Sequence, residues 1–131
     1  MFRSLCILFA AASVVFFSGC RSTVENNNRT ALELCRYMMQ QTGGTFDGMM
    51  AVEPIHASDG FALKVANRQV AFYKFDIKYK KPRSKIEYVD KNHFIYIYGF
   101  KFPAISRGSF IMVDYEDNPL KDQLLEAFNK F

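Results

Sequence analysis

The side chains able to do chemistry in this 131-residue chain are few and scattered. Neither histidine, His56 or His93, has a cysteine or a second histidine at the spacing with which a zinc site gathers three or four ligands. No serine or cysteine stands in a recognisable nucleophile arrangement with them. An enzyme of unfamiliar type would need the fold to bring His56 or His93 together with Asp59, Asp76 or Asp114. The acidic run Asp114, Glu116, Asp117, ending in Asn118, offers oxygen ligands to Ca²⁺. It lacks the spacing and the distal bidentate Glu of an EF-hand loop, and carboxylates placed before a helix meet its dipole favourably. The glycines from Gly43 to Gly48 lack the Gly-Lys-Ser/Thr ending of a phosphate loop and read as a turn. No catalytic group, metal or cofactor is therefore expected.

Two surface features carry more. Lys78, Lys80, Lys81, Arg83 and Lys85 crowd five cations into KYKKPRSK, suited to anionic headgroups or an anionic wall polymer and, with its proline, unsuited to a central strand. Tyr73, Tyr79, Tyr88, Tyr96 and Tyr98 are candidates for a platform on which a glycan or peptide stacks. The net charge of +4 is too mild to argue for nucleic acid, and a chain half of whose residues are hydrophobic is built to fold.

The third reactive group is a thiol. Arg3 precedes an apolar run from Leu5 to Phe17. Thirteen helical residues cover roughly 20 Å, short of the roughly 30 Å of a bilayer core, so the run reads as a signal-peptide segment. It ends in Phe17-Ser18-Gly19-Cys20, which resembles the lipobox of bacterial lipoproteins, with Phe17 where an aliphatic residue is usual. The resemblance covers the leader alone. It implies that residues 1–19 are removed, that the Cys20 sulfur takes a diacylglyceryl group, and that the chain is held by lipid at the cell membrane or outer membrane. Arg21 stands where some inner-membrane lipoproteins carry a retaining Asp, which favours the outer membrane in two-membrane cells. Cys6 leaves with the leader, and Cys35 is left as a free thiol unless Cys20 escapes lipid and bridges to it.

These groups need a frame. Residues 20–29 read as lipidated cysteine and polar tether, and 30–131 as one domain. Thr30 and Glu33 have capping-box spacing, and Ala31, Leu34, Cys35 and Met38 then recur at helical intervals, predicting a helix over 31–41. Met49 to Glu53 reads as a short strand. Phe61 to Ala66 and Gln69 to Asp76 read as a hairpin turning at Asn67-Arg68, with Phe61, Leu63, Val65, Val70 and Phe72 on its core face. Ser84 and Glu87 suggest a short helix from Lys85 to Lys91. His93 to Phe102 and Ser109 to Tyr115 read as strands, and both faces are apolar over Phe94 to Tyr98 and Phe110 to Val113, as in central strands or a sheet partly covered on its second side. The chain closes on a helix with Asn118 as N-cap, Pro119 at its first position, and Leu120, Leu124, Phe128 and Phe131 along one stripe. The order implies an α+β fold: an antiparallel sheet of about four to six strands with an N-terminal and a C-terminal helix packed on it. The expected function is that of a lipid-anchored, non-enzymatic accessory or binding module, its partner an envelope protein, a glycan or an anionic polymer; a purely structural envelope role is the alternative.

Overall fold

The computed structural model describes residues 25–131, so the leader and lipidation motif, Phe17, Ser18, Gly19 and Cys20, lie outside the described residues. Among the described residues no helix is long and apolar enough to cross a membrane. The fold is α+β. Helix α1 (Ala31–Thr42) precedes strands β1 (Thr45–Met49), β2 (Asp59–Val65) and β3 (Arg68–Lys74). Helix α2 (Lys80–Asn92) follows, then β4 (Phe94–Ile97), β5 (Phe100–Arg107), β6 (Phe110–Val113) and helix α3 (Lys121–Asn129). The six strands form one sheet in the order β1-β2-β3-β6-β5-β4, every pairing antiparallel. Each half therefore runs from an outer edge inward, and the halves join at β3 and β6.

Alternation along the strands feeds two cores. On one face Phe61, Leu63, Val65, Val70, Phe72, Phe110 and Met112 pack against Leu34 and Met38 of α1 and Leu124 and Phe128 of α3. On the other Ala71, Tyr73, Ala104, Ile111 and Val113 pack against Ile86 and Val89 of α2. Both sides of β6 and of β3 from Val70 to Tyr73 are thus buried, which is why FIMV and VAFY are apolar without alternation. At about 1.5–3 kcal/mol for each fully buried large apolar side chain, these layers supply the main driving force for folding.

Several boundaries differ from the sequence expectation. Helix α1 has both hydrogen bonds of the Thr30/Glu33 capping box and ends on Gly43 at φ +73°. The first strand lies at Thr45–Met49, and the residues expected to be strand run instead into a 3₁₀ turn at Glu53–Ile55. As an exposed edge, β1 carries no apolar alternation to reveal it. The β2–β3 turn uses Ala66 and Asn67, both at positive φ, one residue earlier than expected. Moving a two-residue turn by one position moves the register by two, so the expected core face is retained. The segment from His93 to Phe102 is two strands: Tyr98 (φ +51°) and Gly99 (φ +82°) turn the chain between Ile97 and Phe100. Helix α2 starts at Lys80, five residues earlier than expected. Pro82 lies in its first turn, where a missing N–H costs nothing, and the Ser84 hydroxyl donates to the Lys80 carbonyl instead of capping. Helix α3 starts at Lys121; Asn118 caps a preceding turn, accepting from Leu120 N–H at 2.8 Å and donating to the Val65 carbonyl at 3.0 Å.

Candidate functional site

The chain enters the fold through a polar latch. Asn26, expected to lie in a free tether, is only 2% exposed. Its side-chain oxygen accepts from Ser109 N–H at 2.7 Å and its amide donates to the Arg107 carbonyl at 3.0 Å, so it closes the β5–β6 turn. Asn27 accepts from Ile77 N–H at 3.2 Å and donates to Asp76 at 3.4 Å. Beneath them Lys74 is 9% exposed, its Nζ donating to the Asn27 carbonyl at 2.8 Å and to Ser109 Oγ at 2.6 Å, above the Phe110 ring at 4.7 Å. Burial lowers the Lys74 pKa from 10.5 to about 8, outweighing the pull of Asp76 and Glu33 in the other direction. The packed domain thus includes Asn26 and Asn27. A polar, asparagine-rich segment resembles a linker in composition; its meaning lies in partners as far away as Ser109.

The basic run sits beside this latch. Lys78 lies in the loop whose Asp76 and Ile77 hold Asn27, and Lys80, Lys81, Arg83 and Lys85 occupy the first two turns of α2. Lys78, Lys80, Lys81 and Arg83 are exposed, as is Tyr79 at 62%. The first turn of α2 contains no acidic residue and its N-cap, Tyr79, provides no side-chain acceptor. Cations here add to the positive end of the helix dipole, an arrangement that disfavours the isolated helix and strengthens the local positive potential.

The gathering that an enzymatic reading would need does not appear in the cleft that holds His93. His56 and His93 lie on separate helix ends, each in the left-handed region. His93 borders an open cleft of about 370 Å³ with Asp90, Ser106, Arg107, Leu125 and Asn129, and neither Asp59, Asp76 nor Asp114 lines it. Within the cleft Ser106 Oγ donates to Asp90 at 3.2 Å. Asp114 faces Arg68, Gln69, Asp117 and Asn118 in a shallow polar pocket, where partial desolvation and then Asp117 raise its pKa. Among the described residues no three His, Cys, Asp or Glu side chains come together as a metal site. Cys35 is buried in the α1 core contact, and desolvation raises its thiol pKa.

The aromatics divide. Tyr73 is core, while Tyr88, Tyr96 and Tyr98 are exposed around the β4–β5 hairpin with Phe100, which is 70% exposed. Phe94 meets Tyr88 and Tyr96 edge-on, each at 5.5 Å between centroids, and carries Lys101 Nζ 4.3 Å above its ring. Beside them, Ser84, Lys85 and Tyr88 of α2 and Ile95 and Tyr96 of β4 line an open groove of about 370 Å³. Phe100 starts the strand that ends at Arg107, against the latch; seven steps at about 3.4 Å put the hairpin roughly 24 Å away along β5. The candidate site therefore has a basic part beside the latch and an aromatic part at the β4–β5 hairpin, and the two meet where Lys85 lines the groove with Tyr88 and Tyr96. Protein-family models, curated proteins and solved structures give no match to the chain.

Proposed function

We propose that this chain is a lipid-anchored, non-enzymatic binding module of the cell envelope, tethered through Cys20 and oriented by the basic start of α2. The observation that carries this reading is the docking of Asn26 and Asn27 against the loop that leads into Lys80 and Lys81. Six residue steps separate Cys20 from Asn26, at most about 20 Å of extended chain. An anchor at Cys20 keeps the latch and the basic residues beside it close to the headgroups. Each cation close to an anionic surface contributes about 1 kcal/mol, and this attraction falls off within a Debye length of about 8 Å at physiological salt.

The test has two parts. Intact mass of the mature N-terminus should show Cys20 carrying diacylglycerol, and an unmodified Cys20 overturns the anchoring. The mature chain with Cys20→Ser should co-sediment with phosphatidylglycerol vesicles in preference to phosphatidylcholine vesicles. Salt should weaken that binding, and joint replacement of Lys80, Lys81 and Arg83 by Glu should abolish it; equal binding to both vesicle types overturns the orienting role.

A further inference from the structure

The two edges of the sheet are treated differently. At β1 the pairing with β2 is broken by a bulge between Phe46 and Gly48, Gly48 stands at φ +122°, and an acidic residue, Asp47, sits in the break. Bulges and charges of this kind are how natural sheets block an edge against further strands. At the opposite edge β4 reads Phe94-Ile95-Tyr96-Ile97, with no bulge, proline, glycine or charge of its own.

The register shows what β4 offers. The His93 carbonyl accepts from Ala104 N–H at 3.1 Å, so the inward-bonded pairs are His93 with Ala104, Ile95 with Phe102 and Ile97 with Phe100. The intervening residues, Phe94 and Tyr96, turn their N–H and C=O groups to the open side. Next to that side lies the groove formed by Ser84, Lys85, Tyr88, Ile95 and Tyr96. A free backbone ladder beside a side-chain groove is the arrangement by which a domain takes up an extended peptide as an added strand.

We propose that β4 receives an extended acidic segment of another protein, which pairs with the Phe94 and Tyr96 backbone and places alternate carboxylates toward α2. The charge of the groove selects this occupant. Helical spacing puts Lys81, Lys85, Tyr88 and Asn92 on one stripe of α2, with Glu87 turned away, and Lys85 itself lines the groove. A second copy paired through β4 would instead set the Lys85 charges of the two copies beside one strand pair, with no carboxylate between them. This inference rests on the reading of the chain as a binding module and is independent of its lipid anchor.

The test uses the full chain in mild detergent and three capped octapeptides. One alternates Glu with Val and Tyr, the second has Lys in place of Glu, and the third is the Glu peptide with alternate backbone amides methylated. The Glu peptide should shift the Phe94 and Tyr96 amide resonances and protect those amides from exchange, whereas the Lys and methylated peptides should bind at least tenfold more weakly. Tyr96→Pro removes an outward N–H without touching the β5 ladder, and should weaken binding about fivefold or more while the circular dichroism spectrum is retained. Lys85→Glu should weaken it similarly and abolish its salt dependence. Equal binding of the Glu and Lys peptides, absence of shifts at β4, or protection of β4 by concentration-dependent dimers without peptide would each overturn the proposal. Because no vesicle is present, failure here leaves the membrane experiment standing, and the reverse holds too.

Discussion

Replacing Lys74 by Met tests whether the chain entry is held by a buried, partly desolvated amine. The folded protein lowers the Lys74 pKa from 10.5 to about 8, which at about 1.4 kcal/mol per pH unit corresponds to about 3 kcal/mol. The sign follows from proton counting. Between about pH 8 and 10.5 the unfolded chain holds this proton and the folded chain does not, so raising the pH through that window stabilises the fold. Below pH 8 the full cost of the buried charge is present; near 10.5 it has been relieved, and the neutral amine still donates to Asn27 and Ser109. Methionine does not titrate, and its loss of those hydrogen bonds is the same at every pH. Cys35, Tyr73 and Tyr115 also have raised pKa values, but their opposing effect above pH 9 is common to both proteins. Urea unfolding of wild type and Lys74→Met from pH 7 to 10.5 should therefore show the wild type gaining about 3 kcal/mol relative to the variant. Stability curves that stay parallel would refute the claim that Lys74 is charged and desolvated under the latch.

Gly108→Ala should release the same latch from above: position 108 is at φ +60° and a Cβ there would overlap the Asn26 side-chain amide. Loss of about 2–4 kcal/mol is expected, from backbone strain and from the unpaired Ser109 N–H and Arg107 carbonyl, with early loss of hydrogen-exchange protection at Ser109. Cys35 should react with a thiol reagent such as iodoacetamide only as fast as the protein opens, since the sulfur is buried and its pKa raised; labelling at the rate of a free thiol would contradict that burial.

The layers of this fold were legible wherever a residue's role is decided by near neighbours. Thr30 with Glu33 gives α1 its start, and the alternation from Phe61 to Phe72 gives the hairpin its core face even with the turn misplaced by one residue. What escaped depends on distant partners. Asn26 takes its meaning from Ser109 and Arg107, more than eighty residues away, so composition alone made it a tether. The break at Tyr98-Gly99 was hidden because aromatic and apolar residues run up to it from Phe94 and resume at Phe100; Gly99 was the one local signal. The positive start of α2 was hidden for the opposite reason, since consecutive lysines beside a proline look like loop and are held helical by Ile86 and Val89 beneath the sheet. The exposed aromatic cluster was half visible: the tyrosine-rich segments were evident, but only the sheet order shows that Tyr73 is interior and Tyr96 lies on an edge.

The packing of α1 on α3 also sets a clock. Phe72 stacks on Phe61 within the first hairpin and is completed on its other side by Phe128, and the Tyr37 hydroxyl reaches the Ala127 carbonyl at 2.7 Å. The hairpin can form as soon as it is synthesised and α1 can cover part of its apolar face, yet the part that Leu124 and Phe128 cover stays open until α3 exists. At about 5–20 residues per second, the stretch from Phe72 to Phe128 takes roughly 3–11 s to make. Contacts this distant in sequence also slow the final collapse of the whole chain. The lid on the first core is the last helix to arrive, so the time the chain spends unfolded is written into its topology.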